Sequence, residues 1–428
     1  MRGRSLSRAV GAALLGALGF ASVGCFPIEG IARTQPNKVE KSIFNDGGEW
    51  YFRQTIIDVP ATSGISFIGE QGSTERVVWD IQESFLFAYR AYPFQEGGDG
   101  HARPGTGPYM DNPVAAFRIQ SHFDVERQYN PSTGEQTNVI AENMMDKPWY
   151  DRKWMRIDWS QNLIADFQFS ASAVQQQPVA FFNGEDPTHQ TKDAAQITPN
   201  YVDIVHTITA QPELNQLYTQ YFGFPILECW LYSSVHQDCL GAQLKVRSSF
   251  LRAPEQSDYL PADYDDNRFA KFGYFRADRY GYNAEYGVVE PAAQRLANRF
   301  NLWNNAQPCY NPDAEKPFAT CSPDQLKTVA YHLNEDFPAE YKSFAISNGE
   351  EWNRVFREAV LAGTGWSAET LGNRRLFTIC PNNPVLKGDP AECGGEGTNA
   401  RIGDLRFSMY YYVPDAQESS PLGYGPSA

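Results

Sequence analysis

A period-two alternation of apolar and polar side chains constrains the fold of this chain more than any other sequence feature. Between residues 117 and 126 polar side chains separate a set of apolar ones, Phe117, Ile119, Phe123 and Val125. This pattern is typical of a strand that buries one face. A turn with Pro131 and Gly134 follows, and a second extended run begins at Val139. The two runs are therefore predicted to form a hairpin.

Strand-like sequence extends from Trp50 to about residue 250, and it includes 51–57, 76–92 and 155–159. After about residue 285 the pattern predicts a helix over Pro291–Asn304, a strand over Leu326–Leu333, a helix over Ala339–Leu361 and a strand over Leu405–Val413. Four apolar residues of the longer helix form one stripe at helical spacing, and we expect them to pack in the core: Trp352, Val355, Phe356 and Ala359. The sequence thus predicts an α+β fold class, with a β-rich domain over 46–285 and the opening of an α/β domain over 286–428.

The N-terminus has the layout of a bacterial export signal. Three arginines within the first eight residues precede an apolar stretch, Ala9 to Ala21, that is too short to span a bilayer. The segment ends in Ser22-Val23-Gly24-Cys25, which resembles the lipobox in which cysteine receives a diacylglycerol. Residues 1–24 are therefore predicted to be a lipoprotein signal peptide, with residues 25–45 as a polar tether. The alternative is an ordinary secretory signal with a chance cysteine.

The predicted location is the outer membrane of a Gram-negative cell, because Phe26 follows Cys25 where the inner-membrane retention signal would have aspartate. The membrane is then a partner through the lipid on Cys25. The formal net charge of −15 argues against nucleic acid or an anionic bilayer surface as the main partner. No apolar run after residue 25 approaches the roughly 20 residues needed to cross a bilayer.

The remaining six cysteines fall into three close couples, 10 to 13 residues apart within each couple. Pairing within couples closes short loops at low entropic cost, and an exported chain lies in an oxidising compartment. We therefore predict three disulfides, Cys229–Cys239, Cys309–Cys321 and Cys380–Cys393. A zinc cluster is the competing interpretation, but the spacing that such clusters use is absent.

Four stretches of sequence resemble a family of large exported metzincin-like zinc-dependent metalloproteases, in which a β-rich region precedes the catalytic domain. The stretches are 114–135, 271–287, 331–356 and 404–407 with 423–427 beyond it. The resemblance implies that 331–356 and 404–407 correspond to the first strand, first long helix and second strand of a zincin fold. The portion over 286–428 would then be an incomplete zincin-like domain.

In that family the next helix bears the motif H-E-x-x-H, whose histidines hold zinc and whose glutamate is the general base. The six histidines of this chain are His101, His122, His189, His206, His236 and His332, and no two lie four residues apart. We therefore expect no catalytic residue, no zinc site and no cofactor in this chain, and no peptide hydrolysis.

Two further groups of residues could in principle form a calcium site or a serine-hydrolase site. Asp263, Asp265 and Asp266 could bind Ca²⁺, but a solvated acidic turn is the favoured interpretation. Ser233 and Ser234 lie near His236, yet the sequence lacks the G-x-S-x-G motif of serine hydrolases. His206 is expected to be a hydrogen-bonded strand residue.

Two hypotheses for the function follow. The leading one is an exported lipoprotein that corresponds to the non-catalytic N-terminal region of a zinc endopeptidase, either as a fragment of a longer reading frame or as a shortened relative. The alternative is a complete β-rich envelope lipoprotein that acts as a binding or adhesion module for a protein or peptide. The apolar strand over Leu405–Val413 should be covered in the second case and lack sheet neighbours in the first.

Overall fold

The structure is a computed structural model that describes residues 31–32, 38–61, 66–91, 113–164, 171–177, 195–212, 214–227, 241–255, 257–283 and 287–413. The chain divides into two compact units. One comprises Met1–Thr34 and Val125–Asn143, and the other comprises Gln35–Asp124 and Met144–Ala428.

Most of the regular structure is β. The strands are β1 (Ile31–Ala32), β2 (Lys38–Glu40), β3 (Glu49–Asp58), β4 (Glu75–Ile81), β5 (Phe85–Arg90), β6 (Pro113–Tyr129), β7 (Gln136–Asn143), β8 (Trp154–Asp158), β9 (Ala171–Gln177), β10 (Gln196–Thr198), β11 (Tyr201–Pro212), β12 (Ala242–Arg252), β13 (Arg276–Asn283), β14 (Gly287–Ala297), β15 (Val329–Leu333), β16 (Phe377–Cys380) and β17 (Ser408–Tyr410). The helices are α1 (Gln216–Phe222), α2 (Asp266–Phe272), α3 (Ala339–Thr364) and α4 (Ala368–Leu371), with short 3-10 helices at Lys41–Ile43, Trp149–Asp151, Pro323–Gln325 and Ala391–Cys393. Within the described residues no helix has both the length and the apolar character needed to cross a membrane.

The smaller unit contains the hairpin predicted from the turn at Pro131. The end of β6 and β7 are its strands, and Asn130 closes the turn by donating its backbone N–H to the carbonyl of Glu135 (2.8 Å). Gly134 has φ +71°, the left-handed conformation that glycine adopts without steric cost. β1 pairs with β7 in parallel at Val139 and Ile140.

In the larger unit an antiparallel sheet has the strand order β6-β5-β4-β3-β12-β11-β10. β9 also pairs with β11, and β8 pairs with β2 and β6. One core of large aromatic side chains lies against this sheet: Phe44, Trp50, Trp79, Phe117, Trp159 and Phe250. The strands predicted around residues 117 and 155 are confirmed, and the described segment 76–91 consists of two strands joined by a tight turn.

The C-terminal part of the larger unit is a three-stranded parallel sheet with the order β16-β15-β17. The chain leaves β15, passes through α3 and returns as β16. The sequence predicted the strand and the long helix in this order, but it did not predict β16. Gly349 lets α3 approach the sheet closely, since a Cβ there would lie 2.6 Å from Cγ1 of Ile379. The fold is therefore mixed, with β-structure predominating, as the sequence predicted.

Three sequence predictions for this region need correction. Residues 291–297 belong to β14 and not to a helix, because pairing with β13 outweighs the high helix propensity of the Ala-Gln-Arg-Leu sequence. The strand predicted over Leu405–Val413 is limited to Ser408–Tyr410, and the strand that follows α3 in the chain is β16. The predicted apolar stripe of α3 is only partly buried: Phe356 is in the core, whereas Trp352 and Val355 are 46% and 43% exposed. The buried face also includes Ala345, Gly349 and Val360.

Candidate functional site

Within the described residues, the most densely charged buried site lies on one face of β11 and β12. Asp203 and Ser249 are opposite one another across the two strands, and Arg247 precedes Ser249 by two residues in β12. Side chains two residues apart on a strand share a face, so Arg247 reaches the Asp203 carboxylate at 2.5 Å. The Tyr201 hydroxyl also donates to Asp203, at 2.9 Å. The opposite face of β11 packs into the aromatic core through Val202 and Ile204.

The chain segment Arg401–Phe407 covers this charged face. Arg401 forms a second ion pair with Asp203. Arg247 donates to the backbone oxygen of Ile402 at 2.9 Å, and Ser249 donates to that of Gly403 at 2.7 Å. Gly403 has φ +82°, and a Cβ at this position would lie 2.7 Å from Cβ of Thr55, so only glycine fits here. We call Asp203, Arg247, Arg401, Asp404 and Arg406 the charge cluster.

The charge cluster holds two carboxylates and three guanidinium groups. Burial of Asp404 opposes its ionisation, but hydrogen bonds and charge from Arg406 outweigh this and lower the pKa of Asp404. Burial and the nearby Asp203 charge raise the pKa of Tyr201 far above its usual value. Arg406 also stacks over the Tyr201 ring, with its guanidinium carbon 3.9 Å from the ring centroid. The lowered pKa favours the charged form of Asp404, and the contacts of the cluster hold Arg401–Phe407 on β11 and β12.

The three described histidines lie at separate places, each in a structural role. His206 contacts the Trp159 carbonyl oxygen through Nε2 at 3.0 Å, as expected for a hydrogen-bonded strand residue, and His122 contacts that of Glu83 at 2.9 Å. His332 packs edge-on against Phe407, with ring centroids 5.0 Å apart. Burial lowers the pKa of all three, that of His206 to about 4. Within the described ranges, no group of three or more His, Cys, Asp or Glu side chains could hold a metal ion.

Lys41 is a buried titratable group that the sequence did not single out. Its ammonium donates to the carbonyl oxygen of Trp149 and lies 5.4 Å from the centroid of the Trp149 ring. Burial, followed by repulsion from Arg152, lowers its pKa to about 8. Because only 5% of Lys41 is exposed, we assign it a structural role in which its side chain packs against Trp149.

The acidic residues considered for Ca²⁺ have structural partners. The Asp265 side chain caps α2 by accepting from the backbone N–H of Arg268 at 2.8 Å. Asp266 pairs with Arg276 at 2.7 Å and with Arg295 at 3.4 Å. The backbone oxygen of Asp263 accepts from the Arg268 side chain at 2.6 Å. These contacts favour the acidic-turn interpretation.

Two of the predicted disulfides are present. The Cα atoms of Cys309 and Cys321 are 5.0 Å apart, and those of Cys380 and Cys393 are 5.6 Å apart. The second disulfide fixes the loop after β16. The other predicted site residues, Cys25, Cys229 and Cys239, lie outside the described residues, as do Ser233, Ser234, His101, His189 and His236.

Two short helices expose aromatic side chains that sequence analysis did not recognise as a surface. α1 is capped by Asn215 and α2 by Asp265, and each ends at a glycine with positive φ, Gly223 or Gly273. The exposed aromatic residues on and after these helices are Tyr218, Tyr221, Phe222, Phe224, Phe269, Phe272, Tyr274 and Phe275. Both segments contain Phe-Gly followed by an aromatic residue, and that repetition is the signal that could have identified them.

Comparisons with protein-family models, with curated proteins and with solved structures found no match to this chain. Its function is therefore inferred from its residues and their geometry.

Proposed function

We propose that this chain is an exported lipoprotein and the non-catalytic N-terminal part of a metzincin-like zinc endopeptidase. The main supporting observation is the passage from β15 through α3 to the parallel strand β16, with β17 parallel on the other side of β15. The resemblance implies a strand, a long helix and a second strand in this order. It placed that second strand at 404–407, whereas the strand that follows α3 is Phe377–Cys380, and 404–407 leads into β17.

The charge cluster gives the β-rich region a role in this proposal. Arg401–Phe407 is held on β11 and β12 by Asp203, Arg247 and Ser249, and this segment runs directly into β17. β17 is the outermost strand of its sheet within the described residues, and Tyr410 is exposed. Further strands of a zincin-like sheet could pair with that edge. The β-rich region would then fix the position at which the catalytic part of the sheet is built.

The experiment that tests this proposal is to sequence the DNA immediately downstream of the coding region. We expect an in-frame or frameshifted segment that encodes an H-E-x-x-H helix. If the downstream DNA encodes no such motif in any frame, the chain is not a fragment of a longer protease reading frame.

A second candidate function is a binding or adhesion module of the cell envelope, and the exposed aromatic residues of α1 favour it. Tyr221 is 81% exposed, and aromatic residues are enriched at binding surfaces. Purified protein and a Tyr221→Ser, Phe224→Ser double variant would be compared for sedimentation with envelope fragments. The matched control is Tyr150→Ser, which also removes an exposed aromatic residue. A loss of binding confined to the double variant would support this function, and equal sedimentation of all three proteins would exclude it for α1.

A further inference from the structure

A cleft of about 280 Å³ opens between α3 and the segments around Tyr259 and Phe300. Its walls are mainly aromatic and aliphatic: Tyr259, Phe300, Trp303, Phe318, Phe356 and Val360. Trp303 and Phe318 stack with their ring centroids 4.7 Å apart and their planes at 6°. Trp303 is 7% exposed and Phe300 is 49% exposed, so the cleft runs from a solvent-accessible mouth at Phe300 to a buried end at Trp303.

The size of the cleft limits what it can hold. An apolar cavity of about 150 Å³ binds benzene. A volume of about 280 Å³ therefore accommodates one aromatic ring together with a short substituent. A concave, aromatic-lined site with few polar groups is typical of small-molecule binding.

One cation, Arg299, lines the mouth of this cleft. Its guanidinium donates to the backbone oxygen of Leu260 and lies 5.9 Å from the centroid of the Tyr259 ring. Across the described parts of the chain, no carboxylate forms an ion pair with Arg299. The nearby Asp258 is already engaged, accepting from Lys327 at 2.7 Å and from Asn301 at 2.8 Å. In a chain with net charge −15, an arginine that has no acidic partner among the described residues, beside an apolar cleft, is complementary to an anionic ligand.

We propose that this cleft binds a small aromatic carboxylate. The ring lies among Phe300, Trp303 and Phe356, and the carboxylate pairs with Arg299 at the mouth. Arginine suits this role because its planar guanidinium can donate two parallel hydrogen bonds to one carboxylate. This inference goes beyond both functions proposed above and depends on neither.

The test is calorimetric titration of the full-length protein at pH 7 with two probes of equal shape, 3-phenylpropionate and its neutral amide, 3-phenylpropionamide. We expect saturable binding of the carboxylate that is about tenfold tighter than that of the amide, since a hydrogen-bonded charge contributes about that factor. Arg299→Met should remove this preference and leave the affinity for the amide unchanged.

Two further variants distinguish loss of the site from loss of the fold. Ala359 lines the cleft and is exposed, so Ala359→Trp should fill the cleft and abolish binding of both probes without changing the thermal midpoint. Arg354→Met removes an arginine of α3 that pairs with Glu351 and Glu358 outside the cleft, and it should change neither affinity. The proposal is overturned if neither probe binds, if both bind equally, or if Ala359→Trp leaves binding intact.

Discussion

Asp203 on β11 and Arg247 on β12 form an ion pair of 2.5 Å whose side chains are 0% and 4% exposed. Two charges removed from water to this degree are tolerated only when they are closely paired. Arg401 also pairs with the same carboxylate oxygen. Asp203 is therefore an anion that links two sheet strands to a segment about 200 residues later in the chain.

Asp203→Asn should be among the most destabilising single substitutions in this protein. It leaves Arg247 and Arg401 without their shared anion, and breaking a buried pair costs about 3–5 kcal/mol. The free energy of unfolding would be measured by urea denaturation. Glu350→Gln, which breaks the partly exposed pair with Arg375, is the matched control and should change stability little. Similar losses in the two variants would contradict the role assigned to Asp203.

The lowered pKa of His206 predicts that the folded protein loses stability on mild acidification. Its pKa is about 4 in the folded protein, against an ordinary value of 6.5, because the buried ring resists protonation. Between these values the unfolded chain binds more protons, so stability rises with pH across the window and is lost as pH falls towards 4. The contribution is about 3 kcal/mol.

The measurement is the free energy of unfolding at several pH values between 4 and 7. His206→Gln keeps a donor for the Trp159 carbonyl but cannot titrate, so its pH dependence in this window should be shallower. Equal slopes for the variant and the wild type would show that His206 is not the responsible group.

Removal of either described disulfide should destabilise the protein. The Cys309→Ser, Cys321→Ser pair opens a loop of 12 residues and the Cys380→Ser, Cys393→Ser pair one of 13, each expected to cost about 2–3 kcal/mol. Thermal unfolding with and without reductant would measure both. Peptide mapping without reductant should recover these two links and also Cys229–Cys239. A disulfide that joins cysteines of two different couples would disprove the predicted Cys229–Cys239 pairing.

Lipidation at Cys25 predicts that Cys25→Ser releases the protein from membranes into the soluble fraction. The reason is that the acyl chains on the thiol provide the anchor. Cell fractionation with immunoblotting would measure the distribution, with Cys309→Ser as a cysteine control that should remain with membranes. Unchanged fractionation of Cys25→Ser would exclude the anchor.

The 428-residue chain is expected to hold no stoichiometric zinc and to cleave no peptide bond. A catalytic zinc needs three protein ligands around one open position, and the sequence lacks the helical histidine pair that usually supplies two of them. Metal analysis and casein digestion, with and without added Zn²⁺, would test this expectation. One tightly bound zinc per chain, together with chelator-sensitive cleavage, would contradict this expectation and show that the chain is a protease.

Local sequence determined much of the architecture. Alternation around Phe117 identified β6, and the residues of the turn at Pro131 identified the hairpin, because strand period and turn dihedrals are properties of neighbouring residues. The spacing of Cys309 and Cys321, and of Cys380 and Cys393, was enough to predict two links. The helix expected at Pro291 was wrong because its alternative, pairing with Arg276–Asn283, depends on a separate strand.

The exposure of the second face of β11 was decided by tertiary structure alone. The sequence places Tyr201, Asp203 and Val205 on one face, and a polar face of this kind would ordinarily contact water. Here Arg401–Phe407 covers it, so Asp203 is fully buried and requires Arg247 and Arg401. No local pattern encodes this contact, because its partners lie far apart in sequence and meet only when the sheet and the later segment are both folded. The cleft could not be predicted for the same reason. Its walls come from four separate stretches of the chain, and they enclose a volume only in the folded protein.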